Sequence, residues 1–543
     1  MAPVTAAVQT IITNATVVDG TGAPGFRADV VLLDGKIHAI TAPGTHPLGD
    51  GAIDATGLVL SPGFIDMHAH SDLQLLLNPG HYAKLSQGVT TELLGQDGLS
   101  YAPIDEVTLA GVRQKIAGWN ENPADFDFNW RTVGEYLDRL DEGIATNAAY
   151  LIPQGTVRAM VRGFGEGEAT PAEVAAQEEV IRTGMAEGAV GMSSGLTYTP
   201  GMYATTEELA QLCSVVAEFG GFYAPHHRSY GKGALEAYDE MIELSRDTGC
   251  ALHLSHATMN FAPNKGRAPE LLGLIDRALD DGVDITLDTY PYLPGATTLS
   301  AILPSWASAG GSQETMERLR DPDTLARIRE NVEIYGSDGC HGVVAEWETL
   351  EISGVQNPEL DALVGKTIEQ IAQDKGADPF DTFVDILLRD KMATGILQHV
   401  GHEENVQAIM VHRTHTGGSD GILVGAKPHP RAWGTFPRFL GHYSRELGLL
   451  SLEEMIHHLT GRPAARLKLV DRGLIRDGYA ADLVLFDPET INATATFENP
   501  RQAAAGIHYV FVNGTAAINA GTPTGALAGR ALRRTPEGTR PTS

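Results

Sequence analysis

The sequence predicts an α/β protein: a (β/α)8 TIM-type barrel with a small β-sandwich domain built from both termini. Two patterns lead to this prediction. Strand-like segments of similar composition occur at both ends of the chain, and the middle alternates short apolar runs with helical stretches. Such alternation is typical of parallel βα units, and eight of them close a barrel. The predicted division is a sandwich part at 1–61, a barrel at 62–467, and the second sandwich part with a tail at 468–543.

The terminal segments carry the sandwich prediction. Near the start, "TIITNATVVDG" and "ADVVLLDGKIHAIT" are rich in β-branched residues, and Asp34-Gly35 marks a hairpin turn. Near the end, "ADLVLFDP" and "GIHYVFVNG" alternate apolar and polar residues between turn residues. Two strand-rich ends around a different middle indicate one β domain assembled from both termini.

The middle of the chain contains eight candidate barrel strands separated by helix-like segments. In "ATTEELAQLCSVVAEFG", Thr205 or Thr206 is the expected N-cap before Glu207 and Glu208. The stretch at about 291–400, between strands 7 and 8, is too long for a structureless loop and predicts an inserted subdomain. The eight candidates are 62–70, 88–97, 149–155, 189–195, 221–227, 250–256, 282–290 and 414–420.

Composition excludes several classes of protein. The net charge of −30 argues against nucleic acid or an anionic membrane as partner, because both require clustered Lys and Arg. Cys213, Cys250 and Cys340 are odd in number and far apart, which is neither a disulfide framework nor a Cys-x-x-Cys zinc site. Neither a signal peptide nor an apolar run of membrane-spanning length is recognisable. We therefore expect a cytoplasmic protein.

The segment "FIDMHAHSD" places His68 and His70 one residue apart at the end of an apolar run. In a strand, side chains at i and i+2 point the same way, so both imidazoles face one point. That arrangement suits a metal ion. A single His-x-His pair is weak by itself, because short matches occur by chance.

Polar residues able to bind a metal follow several other candidate strands as well. The carboxyl ends of barrel strands share one face, so residues scattered along the chain converge there. Imidazoles and carboxylates together are the ligand set of zinc. The candidates are His68, His70, Asp97, His226 or His227, His256 and Asp420.

The resemblance to one known family runs over nearly the whole chain, from Ile11 to about Arg533. Seven segments carry it: "PGFIDMHAHSD", "APHHRSYG", "LSHAT", "DTYPYLPG", "GGSDG", "HPRAWGTFPR" and "GLIRDGYAADLVLFDP". The chain resembles the D-aminoacylase branch of the metal-dependent amidohydrolases. The resemblance implies a hydrolase that uses metal-activated water to cleave N-acyl-D-amino acids into a carboxylate and a free D-amino acid. It implies one or two zinc ions as cofactor, with Mn or Co also possible, and a small N-acylated amino acid as substrate.

Carried over by motif, the resemblance implies a role for each candidate. His68 and His70 bind one metal position, His226 is the fifth-strand ligand with His227 as the alternative, and His256 is the sixth-strand ligand. Asp420 is the catalytic carboxylate and also a candidate ligand.

Two departures from the branch affect the site. Asp97 stands where the branch has a cysteine, and a carboxylate can bind or bridge zinc in its place. Ala257, Thr258 and Met259 follow His256 where the branch often has a basic residue. The substrate acid is therefore expected at Arg228, Lys265 or Arg267, with Tyr198 and Tyr290 as candidate partners of the substrate carbonyl or acid.

Other residues and functions remain as alternatives. We expect His253 to face the helices, and Asp288 to orient Tyr290 and a neighbouring loop. The segment "GMSSG" fits a serine-hydrolase pattern with Ser193 as nucleophile. A non-enzymatic scaffold, a hydantoinase- or dihydropyrimidinase-like cyclic amidase, and an N-acyl dipeptide hydrolase are further candidates for the barrel.

Overall fold

The computed structural model describes residues 9–47, 49 and 51–542, and it begins with five strands. Asp34 and Gly35, with φ of 50° and 79°, join the second and third strands in a two-residue turn. Positive φ at both positions matches the right-handed twist of a hairpin, so the predicted turn is confirmed. The five strands are β1 (Gln9–Val17), β2 (Phe26–Leu33), β3 (Lys36–Thr41), β4 (Ala52–Asp54) and β5 (Val59–Pro62).

The next seven strands are parallel and form most of a barrel. Each coincides with one of the candidate strands, because apolar runs buried on both faces are typical of parallel sheets. They are β6 (Phe64–Asp66), β7 (Val89–Leu94), β8 (Asn147–Pro153), β9 (Gly191–Gly195), β10 (Phe222–His226), β11 (Ala251–Leu254) and β12 (Ile285–Thr289).

Ten helices lie among these strands, and the longer of them pack on the outside of the barrel. The Thr205 side chain accepts a hydrogen bond from the Glu208 amide at 3.1 Å, so Thr205 is the N-cap of its helix and Thr206 is the first helical residue. The helices are α1 (Gln74–Leu77), α2 (Tyr82–Leu85), α3 (Glu106–Lys115), α4 (Ala117–Asn120), α5 (Val133–Asp141), α6 (Gln154–Arg162), α7 (Pro171–Ala186), α8 (Thr206–Glu218), α9 (Ala234–Thr248) and α10 (Ala268–Asp280).

The segment after β12 forms a layer of its own over the barrel mouth. Three antiparallel strands and four helices enclose a separate apolar core that includes Trp347, Ile352 and Phe380. The elements are β13 (Gly295–Thr298), α11 (Ser312–Arg320), α12 (Pro322–Glu330), β14 (Leu350–Gly354), α13 (Ile368–Lys375), α14 (Pro379–Arg389) and β15 (Gly395–Gln398).

The eighth strand closes the barrel. It pairs with β12, and two backbone hydrogen bonds link its end to the first strand: Met67 N to Gly417 O at 3.1 Å, and Asp420 N to His68 O at 2.8 Å. The predicted eight-stranded barrel is therefore confirmed. The elements here are α15 (Glu403–Met410), β16 (His415–Gly417), α16 (Arg431–Arg438), α17 (Leu452–Leu459) and α18 (Gly461–Arg466).

The C-terminal strands return to the N-terminal ones. They are β17 (Leu483–Phe486), β18 (Ile507–Val512), β19 (Thr515–Asn519), β20 (Thr522–Pro523), β21 (Leu532–Thr535) and β22 (Gly538–Pro541). One nine-stranded mixed sheet runs β20-β19-β18-β17-β5-β1-β2-β3, with β4 beside β1. Ile12, Val30 and Leu483 share a core in this sheet, which confirms a β domain built from both termini.

Shorter helical turns complete the described chain: Gln96–Gly98, Gly201–Tyr203, Ala262–Asn264, Leu299–Ile302, Ser305–Ser308, Asn331–Tyr335, Trp347–Thr349, Pro358–Leu363 and Phe439–Glu446. Within the described ranges, every helix is too short or too polar to span a lipid bilayer.

Candidate active site

Four histidines and two aspartates meet at the carboxyl ends of the barrel strands. Each follows or ends a strand, and each is less than a tenth exposed. The structure thus brings together all six residues for which the sequence predicts metal binding, namely His68, His70, Asp97, His226, His256 and Asp420.

The six side chains form two groups that share one carboxylate. Potential donor atoms lie within 4.8 Å of one another in each group, which are His68, His70, Asp97 and Asp420 on one side and Asp97, His226 and His256 on the other. An Asp97 carboxylate oxygen lies 3.5 Å from a ring nitrogen of each of the four histidines. Asp97 is therefore placed to bridge two positions.

The donor geometry fits zinc. Two ligands at the usual zinc distance of ~2.0–2.1 Å and a tetrahedral angle are about 3.4 Å apart, close to the 3.5 Å between Asp97 and its histidines. Both ring nitrogens of His68 and the Asp97 Oδ1 are buried without a hydrogen-bond partner. Buried polar atoms are normally satisfied, so these atoms are prepared for a ligand that is not part of the polypeptide.

The two adjacent histidines at the end of β10 have different surroundings. His226 directs Nδ1 towards Asp97 at 3.5 Å and places Nε2 2.7 Å from the Thr197 hydroxyl. His227 points away, with its ring 4.1 Å and 3.9 Å from the rings of Tyr230 and Tyr238. Burial, together with the neighbouring histidines, holds the pKa of His227 well below its usual value. The structure therefore places His226 in the cluster.

Three members of the cluster have backbone conformations that are uncommon outside glycine. Asp97, His256 and Asp420 adopt φ of 55°, 32° and 46°. Left-handed conformations are costly for residues with a Cβ and persist where the surrounding structure requires them. Here each one turns the side chain at a strand end into the barrel mouth.

Asp420 is held from the side opposite the histidines. Its Oδ2 lies 2.9 Å from a guanidinium nitrogen of Arg431, and its Oδ1 lies 3.2 Å from His70 Nε2. Burial raises the pKa of Asp420, but Arg431 and the histidines outweigh it and hold the pKa below its usual value. Burial lowers the pKa of His70, but contacts with Asp420 and Asp97 outweigh it and raise the pKa to about 10.

The positions of Asp288 and His253 correct two expectations. Asp288 accepts a hydrogen bond from the His256 amide at 3.0 Å, and its other oxygen lies 3.6 Å from His68 Nδ1 and 3.1 Å from His253 Nε2. Asp288 therefore orients two cluster histidines rather than Tyr290, and His253 faces the barrel interior rather than the helices. The alternation of side chains along β11 does not predict the direction of the His256 side chain. The strand ends at Leu254, and His256 adopts a left-handed conformation.

An open cleft lies over the cluster. Tyr198 and Tyr290 line it, as expected, and Tyr230, Phe261 and His341 form further parts of its wall. The insertion contributes residues of β13 and β15 to the roof.

The basic residues predicted to receive the substrate acid do not line this cleft. Arg228 is held by the Glu240 carboxylate at 2.9 Å and by the Ala204 carbonyl at 2.7 Å. Lys265 is exposed, and the Arg267 guanidinium pairs with Glu270. All three residues lie close in sequence to His226 or His256. The loop after β11 nevertheless places Lys265 and Arg267 outside the cleft.

Arg431 and Trp119 are the site residues that the sequence analysis missed. The Arg431 guanidinium stacks on the Tyr290 ring at 4.4 Å, and the Trp119 ring lies 5.1 Å from that of His70. Arg431 belongs to the segment "HPRAWGTFPR", which is one of those that resemble the family, so the sequence could have indicated this residue. Trp119 lies on the short helix α4, whose sequence carries no comparable signal.

The serine-nucleophile alternative is contradicted. Ser193 lies inside β9, where its hydroxyl donates to the Gly95 carbonyl and accepts from the Gly98 amide at 3.1 Å. The hydroxyl is thus engaged by backbone within the barrel and is not presented at an open turn.

Comparison with known proteins relates the whole chain to one family. The Amidohydrolase family model matches residues 51–517. D-aminoacylase of Alcaligenes xylosoxydans xylosoxydans is 34% identical over 530 residues, 97% of each chain. N-acyl-D-glutamate deacylase of the same organism is 34% identical over 526 residues, 96% of each chain. The solved structure of an N-acyl-D-glutamate deacylase from Bordetella bronchiseptica, complexed with zinc and a phosphonate mimic of the tetrahedral intermediate, has a TM-score of 0.82 at 32% identity, covering 96% of this chain and 99% of that one.

Proposed function

The chain belongs to the amidohydrolase family, and from this premise we propose that it hydrolyses N-acyl-D-amino acids to a carboxylate and a free D-amino acid. The observation that carries the proposal is the buried Asp97 carboxylate shared by four histidines, with Asp420 beside it at the floor of a cleft. The relatives named D-aminoacylase and N-acyl-D-glutamate deacylase support the linear amide and the D configuration.

We propose that the two groups of side chains hold two metal positions. His68, His70, Asp97 and Asp420 form the first, and Asp97, His226 and His256 form the second. Bound zinc supplies Lewis acidity, which activates water and polarises an amide carbonyl. Asp97 neutralises charge at both positions, while Asp288 fixes the orientation of His68 and His256.

Asp420 is the proposed proton carrier. Its low pKa keeps the carboxylate ionised at neutral pH, and Arg431 anchors Oδ2 while Oδ1 stays on the histidine side. The ionised carboxylate accepts the proton of the attacking water and then delivers it to the leaving nitrogen. That nitrogen becomes the amino group of the released amino acid.

Tyr290 is the proposed partner of the substrate α-carboxylate, and the Arg431 guanidinium supports it by stacking on its ring at 4.4 Å. Burial raises the pKa of Tyr290 to about 12, so its phenol remains a hydrogen-bond donor at neutral pH. Arg431 is fully buried, and its Nε and Nη1 have no hydrogen-bond partner. Tyr198, whose hydroxyl lies 3.0 Å from that of Thr297, borders the other side of the cleft.

Amine release from N-acetyl-D-methionine tests the proposal. The zinc-supplemented protein should release methionine from the D-isomer and not from the L-isomer, and a chelator should abolish release. Asp420→Asn should lose at least ~100-fold in kcat, because it removes the proton carrier. A protein that binds zinc but cleaves neither isomer would contradict the proposed reaction.

We also propose a cytoplasmic location. Cys213, Cys250 and Cys340 are free and buried, which is usual in a reducing compartment. Cell fractionation with an antibody against the native protein tests this, and recovery with extracytoplasmic markers would contradict it.

A further inference from the structure

A second, small cavity lies beside the cleft that holds the metal-site residues. Trp119 and Tyr198 line both spaces, with their rings 5.0 Å apart. On the cleft side, the Trp119 ring lies 5.1 Å from His70 and the Tyr198 ring 4.9 Å from His226. One aromatic layer therefore separates the second cavity from the metal-site residues.

The lining of this cavity is rich in hydroxyl groups. Eight serine and threonine residues contribute to it, and neither Asp nor Glu is among its lining residues. The insertion roofs both spaces, since Thr297 lines the cleft and Thr298 lines the cavity. Some of these hydroxyls already have partners, since Thr197 lies 2.7 Å from His226 Nε2 and Thr315 donates to the Gly311 carbonyl at 2.8 Å. The Thr199 hydroxyl accepts from Lys115 and keeps its own hydrogen for a ligand.

Lys115 is the single charged residue in the lining. Its Nζ donates to the Thr199 hydroxyl at 2.6 Å. Lys115 is half-buried, and this burial lowers its pKa to about 8. Among the described residues, its ammonium has no carboxylate partner.

Lys84 provides the contrast within the same chain. That lysine is also buried, but Asp66 and Glu92 compensate its charge. A buried cation without a counter-charge costs free energy that a bound anion recovers. The Lys115 cavity thus has the charge, the donors and the position to receive an anionic group.

We infer that this cavity binds a second carboxylate of the substrate, separate from the α-carboxylate, with Lys115 as its charge partner. The inference rests on the proposed function and narrows the substrates to N-acyl-D-amino acids with an acid on the side chain or on the acyl group. Both sources present the same carboxylate chemistry, and the Thr199 hydroxyl is in place as a further hydrogen-bond partner.

Three substrates separate the two sources: N-acetyl-D-methionine has no second acid, N-acetyl-D-glutamate has one on the side chain, and N-succinyl-D-methionine has one on the acyl group. We expect kcat/KM of the zinc-supplemented enzyme to be at least tenfold higher for one of the two diacids than for N-acetyl-D-methionine. Lys115→Met should lower kcat/KM for that diacid by about 10- to 100-fold, the usual value of a charged hydrogen bond. For N-acetyl-D-methionine the change should stay below about threefold.

Lys391→Met is the matched control, since Lys391 is exposed although its neighbour Met392 lines the same cavity. It should leave all three substrates unchanged. Equal losses on every substrate in Lys115→Met, or no preference for either diacid in the unmodified enzyme, would overturn the inference. If Lys115→Met does not fold, Thr199→Val gives the same selective comparison with a smaller loss.

Substrate activities together with glutarate binding distinguish failure of this inference from failure of the proposed function. An enzyme active on N-acetyl-D-methionine alone disproves only the second carboxylate site. If none of the three substrates is cleaved, the proposed function fails, and calorimetry with glutarate still tests the cavity. Binding to the zinc-supplemented protein that weakens at least tenfold in Lys115→Met supports the anion site, and equal binding to both proteins overturns it.

Discussion

Asp97 shows how much of the site depends on one side chain. A carboxylate has two donor atoms, and each Asp97 oxygen lies 3.5 Å from two of the four histidines. Burial raises the pKa of Asp97, but His226, His68 and His256 outweigh it and hold the pKa well below its usual value. The anion is therefore present without an external base, which prepares the position for divalent cations.

Asp97→Asn should lower bound zinc from two ions to at most one per chain and reduce kcat/KM at least ~100-fold, because the amide keeps the size but loses the anionic donor. Asp97→Cys, which restores an anionic donor, should keep activity within about tenfold of the unmodified enzyme. Metal analysis and kinetics on N-acetyl-D-methionine measure both. Asp247→Asn, at an exposed position, is the control; full zinc content in Asp97→Asn would contradict the bridging role.

At the scale of elements, the site is built on strand ends, and the helices that follow them hold those ends in place. Helix α8 follows β9 and precedes β10, the strand that ends at His226. Its first turn contains Glu207 and Glu208, and the Thr205 hydroxyl satisfies the Glu208 amide. The cap defines where the loop after β9 ends, and that loop carries Tyr198 and Thr199.

Thr205→Ala should lower the free energy of unfolding by about 0.5–2 kcal/mol, because it leaves an N-terminal amide of α8 without its cap. Thr206→Ala is the matched comparison. The Thr206 hydroxyl bonds the Glu240 carboxylate at 2.7 Å on the surface, so its loss should cost less than about 0.5 kcal/mol. Urea unfolding followed by circular dichroism measures both, and an equal loss in the two variants would show that the cap contributes nothing particular.

At the scale of the whole molecule, a buried ion network beneath the site closes the barrel. The Lys84 ammonium pairs with Asp66 and donates to the Ser419 hydroxyl at 2.8 Å. Asp66 Oδ1 accepts from the His68 amide at 3.1 Å and from the Ser419 amide at 2.8 Å. The network therefore ties the segment that carries His68 to the segment that carries Asp420, although they are separated by most of the chain.

Lys84→Met should destabilise the protein by about 3–5 kcal/mol, because it leaves the Asp66 and Glu92 carboxylates buried without their cation. Adding Asp66→Asn should recover part of that loss, since one of the two stranded charges is removed. Thermal unfolding of the single and double variants measures the effect, with Lys391→Met as the exposed control. A double variant that loses the sum of both single changes would argue against direct coupling.

The sequence by itself determined the architecture and most of the site. Alternation of short, mostly apolar runs with helical stretches indicated the barrel strands, although the eighth, "THTGGSD", is rich in Gly and Thr. The rule that parallel strands present their carboxyl ends on one face brought His68, Asp97 and His256 together. These inferences succeed because strand periodicity is local and barrel closure leaves little freedom in where the strand ends meet.

Only the tertiary structure decided which side chains face which neighbour. His226 rather than His227 enters the cluster, and Arg228 is tied to Glu240 outside the cleft. Lys115 and Arg431 instead stand next to the site, on α3 and α16. Left-handed turns after the strands cancel the local alternation, and the carboxylates that pair with the buried Lys84 and Arg431 lie on other elements. Both depend on packing between segments that no local pattern encodes.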